Sequence, residues 1–157
     1  MPTTSPPFAP DNPKTKQELR DYLRTVPFFE GLSEDLFTEI VSHADEIAVR
    51  AQHKVFRQDT NADAFFVVVE GEVAIEVPAI AGEPALVQKI TPGHILGWSW
   101  VVPPYRWHFD ARAEQPTRLV RIDGKSLLAR CEEEPRLGYE LLKRASALMM
   151  QRLEAAR

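Results

Sequence analysis

The residues best suited to chemistry crowd into one stretch, Gly93 to Ala113, G-H-I-L-G-W-S-W-V-V-P-P-Y-R-W-H-F-D-A-R-A. It holds all three tryptophans, two glycines four residues apart, a Pro-Pro pair and two arginines. Exposed rings are unfavourable without a packing partner, so something is bound or packed here. One chemistry is a small-ligand pocket walled by Trp98, Trp100, Tyr105, Trp107 and Phe109. The Gly97 N–H and the guanidinium of Arg106 or Arg112 would be its polar anchors, with Ser99 between the rings. The alternative is that the same rings fill the protein's own interior.

A second chemistry would use His94, His108 and Asp110 as metal ligands, with His108 and Asp110 on one side of a strand. His43 and His53 lie elsewhere, and no H-x-H with a downstream glutamate completes a ligand set. Ser/His/Asp ordering, a glycine-rich nucleotide loop and C-x-x-C are absent. Cys131 precedes three glutamates, which disfavour a thiolate. No catalytic residue is assigned, and enzymatic activity is not expected.

The totals set bounds on what holds this stretch. At 157 residues, 44% hydrophobic and 27% charged, the chain suits one soluble domain. A net charge of −4 gives no general attraction to nucleic acid. One cysteine cannot form an internal disulfide, and neither a membrane span nor a signal peptide is visible. The expected location is the cytoplasm.

Residues 1–14 carry five prolines and little to bury, and read as a disordered arm. The folded domain is expected over 15–157. Thr15 and Glu18 have capping-box spacing, predicting a helix to about Arg24. Ser33 suits the N-cap of a second helix, with Glu34 and Asp35 in its first turn. From Asp45 the period shortens. Ile47 and Val49, Val55-Phe56, Phe65 to Val69, Val73 to Val77, Leu86 to Ile90, Ala111 to Ala113 and Thr117 to Ile122 read as strands.

Short strands punctuated by turns over about 45–123 predict a mainly β fold, a jelly-roll or double-stranded β-helix barrel flanked by N-terminal helices. Helices follow over about 124–156. The last has a broad apolar stripe, and Leu141, Leu142, Ala145, Leu148 and Met149 are the expected contacts of a homodimer.

In this order the motifs resemble the cyclic-nucleotide-binding domain shared by the catabolite activator protein, bacterial Crp/Fnr regulators and cyclic-nucleotide-dependent kinases. V-P-F-F-E-G-L-S-E-D-L is similar to the turn opening the helix before the barrel. V-F-R-Q-D-T-N-A-D-A-F-F-V-V-V-E-G-E-V-A-I is similar to the central hairpin. L-V-Q-K-I-T-P-G-H-I-L-G-W leads into the phosphate-binding cassette, and the terminal helix is similar to the dimer helix. The resemblance covers about residues 22–157. It implies a non-enzymatic sensor or regulatory adaptor, dimeric, with a protein partner as a further possibility. The chain ends with that helix, so direct DNA binding through a following helix-turn-helix is not expected.

Two departures stand out. Asp59-Thr60 replaces the family's Gly-Asp pair, so Asp59 or Asn61 must take the positive-φ position. In the cassette the resemblance implies a glycine, a glutamate for the ribose and an arginine for the phosphate. Gly97 supplies the first, but Trp98 stands at the glutamate position and Trp107 at the arginine position. Trp98 accepts no hydrogen bond. Arg106 is one residue away, on the opposite face of an extended segment.

An arginine–phosphate contact is worth roughly 1.5–3 kcal/mol, so losing both polar contacts weakens a micromolar binder by about two to four decades. Ordinary cyclic AMP recognition is therefore not expected, and another small ligand is an open possibility. The alternatives are a cyclic AMP or cyclic GMP receptor using Arg106 in a shifted cassette and, further off, a metal-binding cupin-like enzyme.

Overall fold

The computed structural model describes residues 12–155. Up to Asp11, the expected arm lies outside the described residues, as do Ala156 and Arg157. At the first helix, α1 (Lys16–Arg24), the predicted capping box is present: Thr15 accepts from the Glu18 N–H and Glu18 reciprocates. A 3-10 turn, Pro27–Phe29, leads to α2 (Glu34–Ser42). There Ser33 makes no side-chain cap, because its hydroxyl donates to Asp35 instead.

Among the described residues there are eight strands, β1 (Ala44–Val49), β2 (Lys54–Phe56), β3 (Ala64–Glu70), β4 (Val73–Val77), β5 (Ala85–Ile90), β6 (Ile95–Leu96), β7 (Asp110–Ala113) and β8 (Thr117–Asp123). They form two four-stranded antiparallel sheets, ordered β1-β8-β3-β6 and β2-β7-β4-β5, the expected jelly roll. The two-residue β6 is too short to have a period, and alternation does not reveal it. α3 (Gly124–Glu133) and α4 (Pro135–Ala155) close the chain.

Strand β3 explains the unbroken run F-F-V-V-V. Phe66 and Val68 enter the core between the sheets, while Phe65 and Val67 enter a second core beneath the helices. A strand buried on both faces has no polar side to alternate with. The helix-side core adds Leu23, Phe29, Phe37, Ile40, Leu127, Leu137 and Leu141. The inter-sheet core is rich in alanine (Ala62, Ala64, Ala111, Ala113), which leaves interior volume for a few large rings.

On the terminal helix the apolar stripe divides. Leu141 and Ala145, expected at a dimer contact, are instead 0% and 3% exposed within their own domain, and Leu148 packs partly against the same core. Leu142 is exposed and Met149 half-buried. Tyr139, Met150 and Leu153, also exposed, extend the outward face.

Candidate functional site

The cassette region hangs between two anchors. On its N-terminal side, Gly93 N–H donates to the Val68 carbonyl (2.8 Å), and Ile95 and Leu96 pair with Val67 and Phe66 of β3. On its C-terminal side, residues 105–107 bond to the β2–β3 turn: Ala62 N–H to Tyr105 O (2.8 Å), Trp107 N–H to Thr60 O (3.0 Å) and Asp59 N–H to Trp107 O (2.9 Å). Asp59 occupies the left-handed region at φ 66°, as the missing glycine requires. This ladder imposes strand-like alternation, so Arg106 is exposed and Trp107 is buried. Arg106 donates to Asn61 Oδ1 at 3.3 Å.

The three tryptophans, expected to wall one pocket, go to three different places. Trp107 enters the inter-sheet core and stacks on Phe56, with centroids 3.7 Å apart and planes 6° apart. Its ring edge fills the space beside Gly97, where an added β-carbon would lie 2.7 Å from it. Trp100 turns the other way, into the helix-side core, and stacks on Phe65 at 5.0 Å. The 3-10 turn Ser99–Val101 makes this divergence possible, because it breaks strand alternation immediately after Trp98. Ser99 is buried with it.

Trp98 meets the end of α4. The Arg152 guanidinium lies over its ring, 4.6 Å from the centroid, and donates to the Ile95 carbonyl. Burial pushes the Arg152 guanidinium down to about 10, still charged at neutral pH. Tyr105 and Arg106 lie on the exposed rim. Of the residues singled out from sequence, Gly97 and Trp107 are therefore in contact, while Trp98, Trp100 and Arg106 face elsewhere.

Phe56 and Arg152 belong to the site but were not identified from sequence. Phe56 read as a strand residue, and Arg152 is far along the chain in a charged helical turn. A volume argument was the available signal: an alanine-rich inner face needs large partners.

Two of the residues considered for metal, Asp110 and His94, have other partners. Asp110 is paired with Lys54 and accepts from the Gln58 N–H at 2.8 Å, and His94 Nδ1 lies 3.2 Å from Thr91 Oγ1. Among the described residues no group of three or more His, Cys, Asp or Glu is gathered to hold a metal. Among them, too, no helix is long and apolar enough to cross a membrane. Cys131 is half-buried, and burial followed by Glu132 pushes its thiol up.

Comparison with known proteins places this arrangement. A cGMP-dependent protein kinase of Caenorhabditis elegans, egl-4, is 30% identical over 82 residues, 51% of this chain; the chain spans a tenth of that kinase. A Geobacter metallireducens GS-15 structure designated a cyclic nucleotide-binding protein superposes with a TM-score of 0.76 at 27% identity, covering 89% of this chain and 98% of that one. The sensor domain of the transcriptional regulator DNR from Pseudomonas aeruginosa shares the fold, with a TM-score of 0.71 at 22% identity over 88% and 93% of the two chains. The sequence pattern of the cyclic nucleotide-binding domain matches residues 46–134, from within β1 to the end of α3 and across the whole cassette. With the two-sheet roll and the terminal helix in their expected order, this chain belongs to the cyclic nucleotide-binding domain family.

Proposed function

We propose that this chain is a regulatory module whose cassette is occupied from within, and that it acts without ordinary cyclic AMP recognition. The carrying observation is the Trp107 ring seated against Gly97 and stacked on Phe56. By family position that side chain replaces the phosphate-binding arginine, and its ring fills the space on the β-carbon side of the glycine. Arg106 does not compensate, because the backbone ladder to residues 59–62 holds it on the rim beside Asn61. Trp98 replaces the ribose-binding glutamate and meets Arg152 of α4. In this reading, side chains make internally the contact between cassette and terminal helix.

The module then signals by assembly. Tyr139, Leu142, Ser146, Met149 and Leu153 recur at alternating three- and four-residue steps, the seam of a two-helix coil. A second copy packed along that seam is the simplest partner for it, giving a cytoplasmic homodimeric adaptor with no catalytic role.

Titration calorimetry with cyclic AMP and cyclic GMP tests this reading. No heat is expected at micromolar ligand. Heat that disappears in Arg106→Ala would instead establish a receptor working through a shifted cassette.

A further inference from the structure

A groove of about 390 Å³ lies outside the roll, between α4, the turn Pro27–Glu30 and the turn Gly93–Ile95. Small residues create it. Ala147 stands where a larger side chain would close the gap, and beside Gly93 there is open space where a β-carbon would point. Phe28, Ile95 and Leu148 form an apolar floor. Along α4, Lys143, Ala147 and Gln151 recur every four residues, so two long polar arms bracket the small residue, with His94 across from them.

The charges around this floor are unequal. Arg144 is engaged, paired with Glu140 and donating to the Glu30 carbonyl at 2.7 Å. Lys143 is 53% exposed and 3.3 Å from the same Glu140, a pairing that an incoming anion can readily displace. Among the described residues Glu30 is the one carboxylate lining the groove, against the cations Lys143 and Arg144. The volume is that of a small-molecule site, with an apolar base and polar groups supplied by α4 and by both turns.

We propose that this groove binds a small amphipathic carboxylic acid, with its ring or alkyl body on Phe28 and Leu148 and its carboxylate held by Lys143 and Gln151. Such a ligand would touch α4 and the turn leading into the cassette together. The site is separate from the Gly97 pocket, and its fate does not depend on whether that pocket binds a nucleotide.

The test is titration of the full chain with 1-naphthoate and with its neutral isostere 1-naphthamide, followed by NMR of the backbone amides. Naphthoate should bind saturably with Kd at or below about 1 mM, shifting His94, Ala147 and Gln151, and the amide about tenfold more weakly. Lys143→Met should weaken naphthoate about fivefold and leave the amide unchanged. Ala147→Phe should abolish both while the melting temperature holds; if that variant melts early, the Lys143→Met comparison decides alone. Absence of saturable binding, equal affinity for acid and amide, or full binding by a well-folded Ala147→Phe variant overturns the proposal.

Discussion

Gly97 and Trp107 interlock: the glycine sits at φ +90°, and the side on which a β-carbon would stand is filled by the indole, 2.7 Å from that point. Gly97 cannot gain a side chain without the indole giving way. Gly97→Ala must therefore combine left-handed backbone strain with a clash against a large, stacked ring. About 2–4 kcal/mol of destabilisation is expected from the two together. Chemical denaturation should show this as a lower midpoint at constant m-value. Tryptophan fluorescence should shift as Trp107 is displaced from Phe56. A midpoint within error of the native protein would show that the ring is not held there.

Leu141 and Leu142 are adjacent and should behave as opposites. Leu141 is fully buried in its own domain, so Leu141→Ala should cost about 2–5 kcal/mol of stability. Leu142 is 47% exposed on the outward face, so Leu142→Glu should leave monomer stability almost unchanged and abolish self-association. Sedimentation velocity at several concentrations separates the two effects. A native chain that sediments as a monomer throughout contradicts the coiled seam.

This pair also shows what the sequence conveyed and where it stopped. The apolar stripe of α4 was plain, but its period gives an arc of residues without saying which edge the protein covers itself. Local signals did better. Thr15 with Glu18 specified a helix start, the missing glycine narrowed the positive-φ position to Asp59 or Asn61, and alternation set Arg106 and Trp107 on opposite faces. Each depends on one or two residues and their own backbone. The dispersal of Trp98, Trp100 and Trp107 over three environments does not. It requires a 3-10 turn at Ser99 to rotate the chain between two cores, and those cores are assembled from residues far apart in sequence.

Acid should weaken the fold through surface pairs that hold carboxylates ionised. Arg24 and then Arg20 hold Glu34 below its ordinary value of 4.5, Lys89 and then Arg112 do so for Glu114, and Arg144 for Glu140. A folded-state pKa below the unfolded one means that the unfolded chain binds more protons between the two values. Stability from these pairs is complete above about pH 4.5 and is lost as pH falls through the folded values. Denaturation midpoints should be level near neutrality and drop below that point. High salt should flatten the drop, because all three carboxylates lie at the surface. A salt-independent acid transition would assign the loss to other groups.

The strongest test of the occupied cassette is to vacate and refill it. Trp107→Arg removes the ring beside Gly97 and places a guanidinium at the family's phosphate position. Trp98→Glu supplies the carboxylate that the resemblance places after the glycine, and sets it near Arg152, which now lies over the Trp98 ring. Each restored charge-assisted contact is worth roughly 1.5–3 kcal/mol, or about one to two decades of affinity. The double variant should thus bind cyclic AMP measurably where the native chain gives no heat, and Trp107→Arg alone should give an intermediate affinity. Losing the Phe56 stack lowers the melting temperature in both variants, so binding should be measured well below it, where ligand should raise the melting temperature of the variants only. A folded double variant that still ignores cyclic AMP would mean that the block lies elsewhere in the roll, and that Trp107 fills the space without being what excludes the nucleotide.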